Sequence, residues 1–170
     1  MDSLSALERL FSRIPQDHDC WRYQPDPDWP SPCEGDGRWH PVKREPAGDF
    51  ANVESALELE LHPSIKAYFS HYFMEYLRVG HQRGEVQLLG AWNAQDFERL
   101  QQNIIGHVLM KRRLKQPVTV FFACTDDDNF MLSIDNQSGE VVLEPVGKEA
   151  TEVLAPSLAA FLDSLTENPN

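Results

Sequence analysis

The chain has 170 residues, 41% of them apolar, which is enough for one domain with a real core. Its 27 acids against 15 Lys and Arg give a net charge of −12, which excludes a general binder of phosphate backbones or of anionic lipid. No apolar run approaches the ~20 residues of a membrane span, the N-terminus lacks a signal peptide's basic start and apolar centre, and three cysteines suggest no disulfide framework. The expectation is a cytosolic protein whose partners are basic surfaces.

Leu4, Leu7, Leu10, Phe11 and Ile14 recur at three- and four-residue steps, so residues 3–13 are predicted as an amphipathic helix stopped by Pro15. Residues 15–50 hold seven of the twelve prolines and no periodicity beyond a short strand at 38–42. Such a long loop is expected to drape over the core, anchored by Trp21, Tyr23, Trp29 and Trp39. Asn52 is placed to cap a helix to about Leu59, and Pro63 to open another to about Tyr72. The period then changes to two: residues 73–79 and 85–91 flank GHQRG and are predicted as a hairpin.

Asn93 and Asp96 are set to cap a helix over about 94–114, with Phe97, Leu100, Ile104, Ile105, Val108 and Leu109 on one stripe. Lys111, Arg112, Arg113 and Lys115 crowd its last turn, where cations meet the negative end of the helix dipole. That accounts for them without a nucleic-acid site, which needs wider basic coverage. Val118–Cys124 is apolar on both faces, as an interior strand is. Residues 130–135 alternate, Asn136–Gly139 turn the chain into a strand over 140–144, and Pro156 and Ser157 open a final helix with Leu158, Phe161, Leu162 and Leu165 inward. The order predicts an α+β fold: one domain, with a mostly antiparallel sheet of about five strands flanked by helices.

Chemistry-bearing patterns are sparse. His18, Cys20, Cys33 and His40 include metal-ligand types, but their spacing matches no common zinc pattern. Asp135–Gly139 lacks the glycine position and final glutamate of a calcium loop. His107 has no nucleophile beside it in sequence and is read as a hydrogen-bonded structural histidine. Gly-rich phosphate loops, GxSxG and HExxH are absent. No cofactor, metal or catalytic residue is assigned.

Charge is the remaining signal. Residues 124–153 hold eight acids and one cation, and residues 45–60 hold five acids and none. If the two segments adjoin, they make a negative face whose candidate residues are Glu54, Glu58, Glu60, Asp126, Asp127, Asp128, Asp135, Glu140 and Glu144. The bland alternative is that these charges only keep a small protein soluble.

The run LLGAWNAQDFERLQQNIIGHVLMKRRLKQPVTVFFACTDDD, followed by SIDNQSGEV and LAPSLAAFLDSL, closely resembles the Syd family of SecY-interacting proteins. WPSPC and HPSIKAYFSHYF are similar to it too, and the match in order and spacing is specific over residues 85–165. The resemblance implies an α+β fold of the SUKH superfamily. It also implies a peripheral protein on the cytoplasmic face of the bacterial inner membrane. Such a protein binds cytoplasmic loops of SecY, the translocase channel subunit, as a quality check or negative regulator. Cytoplasmic loops of membrane proteins are rich in Lys and Arg, so a chain at −12 suits them; a monomer without lipid insertion or nucleic-acid binding is expected. Because the superfamily contains immunity proteins, neutralisation of a basic toxin is an alternative, and a carboxylate-based hydrolase a further one.

Overall fold

The computed structural model describes residues 2–167. Helix α1 (Ser3–Arg13) starts where the Asp2 carboxylate accepts the Leu4 amide at 2.9 Å. Helix α2 (Ala51–Leu57) begins one residue before Asn52, because Asp49 takes the Ala51 amide at 3.0 Å. Asn52 is therefore not the cap; its amide meets Gln101 instead. Helix α3 (Pro63–Ser70) has proline in its first turn, and the His62 ring accepts from Ser64 N–H. Helix α4 (Ala94–Arg113) is closed at its start from both directions. Asn93 accepts the Asp96 amide at 2.9 Å, and the Asp96 carboxylate accepts the Trp92 amide at 2.8 Å. In helix α5 (Leu158–Asp163) Ser157 is the cap, and Leu158, Phe161, Leu162 and Leu165 are all buried.

Two strands pair apart from the rest: β1 (Val42–Lys43) and β2 (Tyr72–Phe73). The main sheet contains β3 (Leu77–His81), β4 (Gly84–Leu88), β5 (Thr119–Thr125), β6 (Phe130–Asp135), β7 (Val141–Pro145) and β8 (Glu152–Ala155). All six pair antiparallel in chain order. The fold is α+β, with six strands in the main sheet where five are predicted. The extra strand, β8, is four residues long and lies at the edge, too short to show a period. The predicted run 73–79 is divided between β2 and β3, and the hairpin turn tightens to Gln82–Arg83. The predicted strand at 38–42 reduces to single bridges at Arg38 and Trp39 before β1.

One face of the sheet carries Val120, Leu132, Ile134 and Val141, all at most 2% exposed. Phe122 joins them, edge-on to Phe161 of α5 and to Tyr68 of α3. The proline-rich loop is anchored as expected. Trp21 and Trp39 enter the core edge-on, 4.9 Å apart, while Trp92 Nε1 donates to Trp29 O at 3.0 Å. The sheet curls, so that Arg83 in the β3–β4 turn reaches Glu152 of β8 at the far edge. Thr166 bridges Gly80 through both backbone groups and covers part of the β3 edge. Among the described residues no helix is long and apolar enough to cross a membrane.

Candidate functional site

The other face of the sheet follows from the pairing register. Phe121, Ser133, Val142 and Val153 form one row across it, with Thr119 opposite Asp135 in the next. At the β7–β8 end this face opens into a groove of about 400 Å³. Its floor includes Val142, Val153 and Pro117, and its walls carry Asp135, Glu140 and Glu149; Glu152 lies at its rim, opposite Leu143 in register and so turned to the other face of the sheet. Asp135 is half-buried and holds its turn by accepting the Gln137 and Ser138 amides at 3.0 Å each. Glu140 accepts from Ser138 Oγ at 3.2 Å. Glu152 pairs with Arg83. Glu149 is exposed on the β7–β8 loop.

A neighbouring loop is fixed beside this turn. Asn136 accepts from His62 N–H at 2.8 Å and donates to Glu60 O at 3.0 Å. Gly139 sits with φ +80°, and a Cβ there would lie 2.4 Å from His62 Nε2, so only glycine permits the contact. Exposed Glu60 thereby stands beside the turn that joins Asp135 to Glu140, two residues after exposed Glu58.

The remaining expected acids do not join them. Asp126, Asp127 and Asp128 are exposed, but at the opposite end of β6 from Asp135. At ~3.3 Å per residue, six residues of strand put the two groups ~20 Å apart. Glu54 is turned inward and occupied, accepting from Leu61 N–H at 2.8 Å and pairing with Lys66 at 3.0 Å. Glu144 is corrected most firmly: its side chain is 1% exposed, so it belongs to no surface. Glu149 joins Asp135 and Glu140 at the groove, and Glu152 lies at its rim, paired with Arg83. Glu149 and Glu152 both lie within the acidic run 124–153, but nothing in the run distinguishes groove walls from solvated turns.

Beneath the groove the side chains of α4 and the sheet form a closed polar network. Lys111 Nζ lies 2.5 Å from Glu144 Oε2, 2.7 Å from Gln116 Oε1 and 3.0 Å from Lys148 O. Thr119 Oγ1 lies 2.8 and 3.0 Å from the two Glu144 oxygens. A carboxylate only accepts, so the Thr119 proton goes to Glu144, and His107 Nε2–H donates to Thr119 Oγ1 at 2.9 Å. His107 is thus the structural histidine its sequence suggested. Lys111 departs from the expectation of four dipole-facing cations: it is buried, while Arg113 and Lys115 are exposed and Arg112 donates to Leu57 O at the end of α2.

Burial holds the His107 ring below the ordinary histidine range; Glu144 opposes this and Lys111 adds to it. A depressed folded pKa means that the unfolded chain takes up its proton first. Stability is therefore full above the ordinary value near 6.5 and falls as pH drops below it. Urea unfolding at about pH 7.5 and pH 5.5 is expected to show this loss, and His107→Gln to flatten the slope.

The sites read from other residue types have different tasks. The His18 ring accepts the Cys20 amide at 3.0 Å, and the His40 ring packs on Trp21 at 5.3 Å. Burial pushes the Cys20 and Cys33 thiols up to about 11, away from the reactive thiolate. Among the described residues no three His, Cys, Asp or Glu side chains are grouped to hold a metal ion. A larger open cleft of about 750 Å³ lies by Asp17, Asp19, Arg22 and Arg78. Its charges are mixed, and Arg22 pairs with Asp19 at 3.2 Å, so it lacks the excess of acids found at the β7–β8 groove.

Comparison with known proteins identifies the family. The family model described as Syd protein (SUKH-2) matches residues 2–167. A Protein Syd from Pseudoalteromonas atlantica is 49% identical, over 96% of this chain and 93% of its own length. One from Aeromonas salmonicida is 40% identical, over 98% and 97%. One from Alteromonas mediterranea is 46% identical, over 83% and 82%. With the family pattern running from the first helix to the last, this chain belongs to the Syd family.

Proposed function

We propose that the chain is a non-enzymatic peripheral protein that binds basic cytoplasmic loops of SecY, as a quality-control factor or negative regulator of translocation. The observation that carries this reading is the groove whose walls bring Asp135, Glu140 and Glu149 together. Lys111 also borders it, but Glu144 compensates that charge. A basic loop finds there a negative wall for its cations and an apolar floor of Val142 and Val153 for its remaining side chains. Charge of this kind mainly accelerates encounter and selects partners, while the floor contributes packing. The setting is the cytoplasmic face of the inner membrane, with the protein held by the channel's protrusions and not by lipid.

The test is binding to membrane vesicles that contain SecY and to vesicles that lack it, at low and at high salt. Binding that needs SecY and weakens with salt is expected, because exposed charge pairs are screened within about 10 Å at 0.1 M. Equal binding to both vesicles, or none, would sink the reading.

A further inference from the structure

We propose that Lys111 is a positioning residue for the groove: it holds the β7–β8 loop from beneath and so sets how long a bound basic segment stays. This rests on the groove being the partner site. Lys111 is 0% exposed, and its three ammonium protons have three acceptors: Glu144, Gln116 and the Lys148 carbonyl. Only one of these is the ion-pair partner. Of the others, one is loop backbone, and Gln116 passes the hold on by donating from Nε2 to Gly147 O at 3.3 Å.

A buried ion pair is a poor source of stability, because desolvating both charges offsets most of their attraction. What it supplies here is geometry. The loop over residues 146–151 is otherwise held at its ends and by its own turn: Val146 N–H donates to Asn129 O, Lys148 N–H to Pro145 O and Thr151 N–H to Leu143 O. Val146, Lys148, Glu149, Ala150 and Thr151 are all exposed. That loop carries Glu149, the acid of the wall on the β7–β8 side. Without the lysine beneath it, the wall keeps its charge and loses its place.

The experiment replaces both charges at once, Lys111→Met with Glu144→Leu, so that neither is orphaned and the net charge stays at −12. Thermal melting, amide hydrogen exchange and binding kinetics on SecY-containing vesicles are measured beside the wild type. The fold is expected to persist, with exchange at the Lys148 and Thr151 amides accelerated about tenfold and the strands unchanged. The off-rate is expected to rise about tenfold, while the on-rate and its salt dependence hold, since the surface charges are untouched. A folded double variant with wild-type loop exchange and off-rate overturns the proposal. If the double variant does not fold, Gln116→Ala decides: faster exchange at the Lys148 amide with a raised off-rate supports it, and wild-type values overturn it. If the wild type fails to bind the vesicles, the functional reading fails separately. The positioning role then stands or falls on loop exchange alone.

Discussion

Replacing Lys111 alone by Met is expected to cost about 3–5 kcal/mol of stability, because it leaves the Glu144 carboxylate buried with no cation. Glu144 would retain only the Thr119 hydroxyl, and Gln116 and the Lys148 carbonyl would each lose a donor. The same change at exposed Arg113, two positions along the same helix, is expected to stay within about 0.5 kcal/mol. Urea unfolding of both variants checks this. Adding Glu144→Leu to Lys111→Met should recover most of the loss, which makes the two sites strongly non-additive. A single variant within about 1 kcal/mol of wild type would mean that the pair is not the buried contact described here.

Charge reversal separates the groove from the general acidity of the chain. Glu140→Lys with Glu149→Lys moves the net charge from −12 to −8, and Asp126, Asp127 and Asp128→Lys moves it further, to −6. Position predicts the opposite ranking. The groove pair is expected to weaken binding to SecY-containing vesicles about 10–100-fold at low salt, and the triple change by less than about threefold. The reason is distance: ~20 Å of strand lies between the two acid groups, about twice the screening length at 0.1 M salt. Asp135 is left in place because its carboxylate also holds the 136–139 turn. A larger loss from the triple change would move the partner site to the opposite end of the sheet.

Much of the fold was legible in the chain. The helix over 94–114, the caps at Asn93 and Ser157, the apolar run at 118–124 and the alternation at 130–135 each became the predicted element within a residue or so, although Leu109, expected on the helix's apolar stripe, stands 50% exposed. These signals are local, since capping, helical period and pleat period act over fewer than ten residues. The Syd resemblance was legible in the same way, as fixed residues at fixed spacing. β8 was missed because four residues at an edge owe their conformation to β7 and not to their own pattern.

The candidate site was legible only in its sign. Composition and sequence alone determined that the protein is strongly acidic, that its acids concentrate in two segments, and that its cations crowd the end of one helix. Tertiary structure decided which of those charges act together. Register and the β7–β8 loop placed Asp135, Glu140 and Glu149 around one groove and sent Asp126–Asp128 to the far end of β6. Packing turned Glu144 and Lys111 inward to each other across 33 residues of sequence. A charge carries the same sign wherever it stands, but its effect depends on distance and on access to water. Both of those are set by how the strands and α4 come together in space.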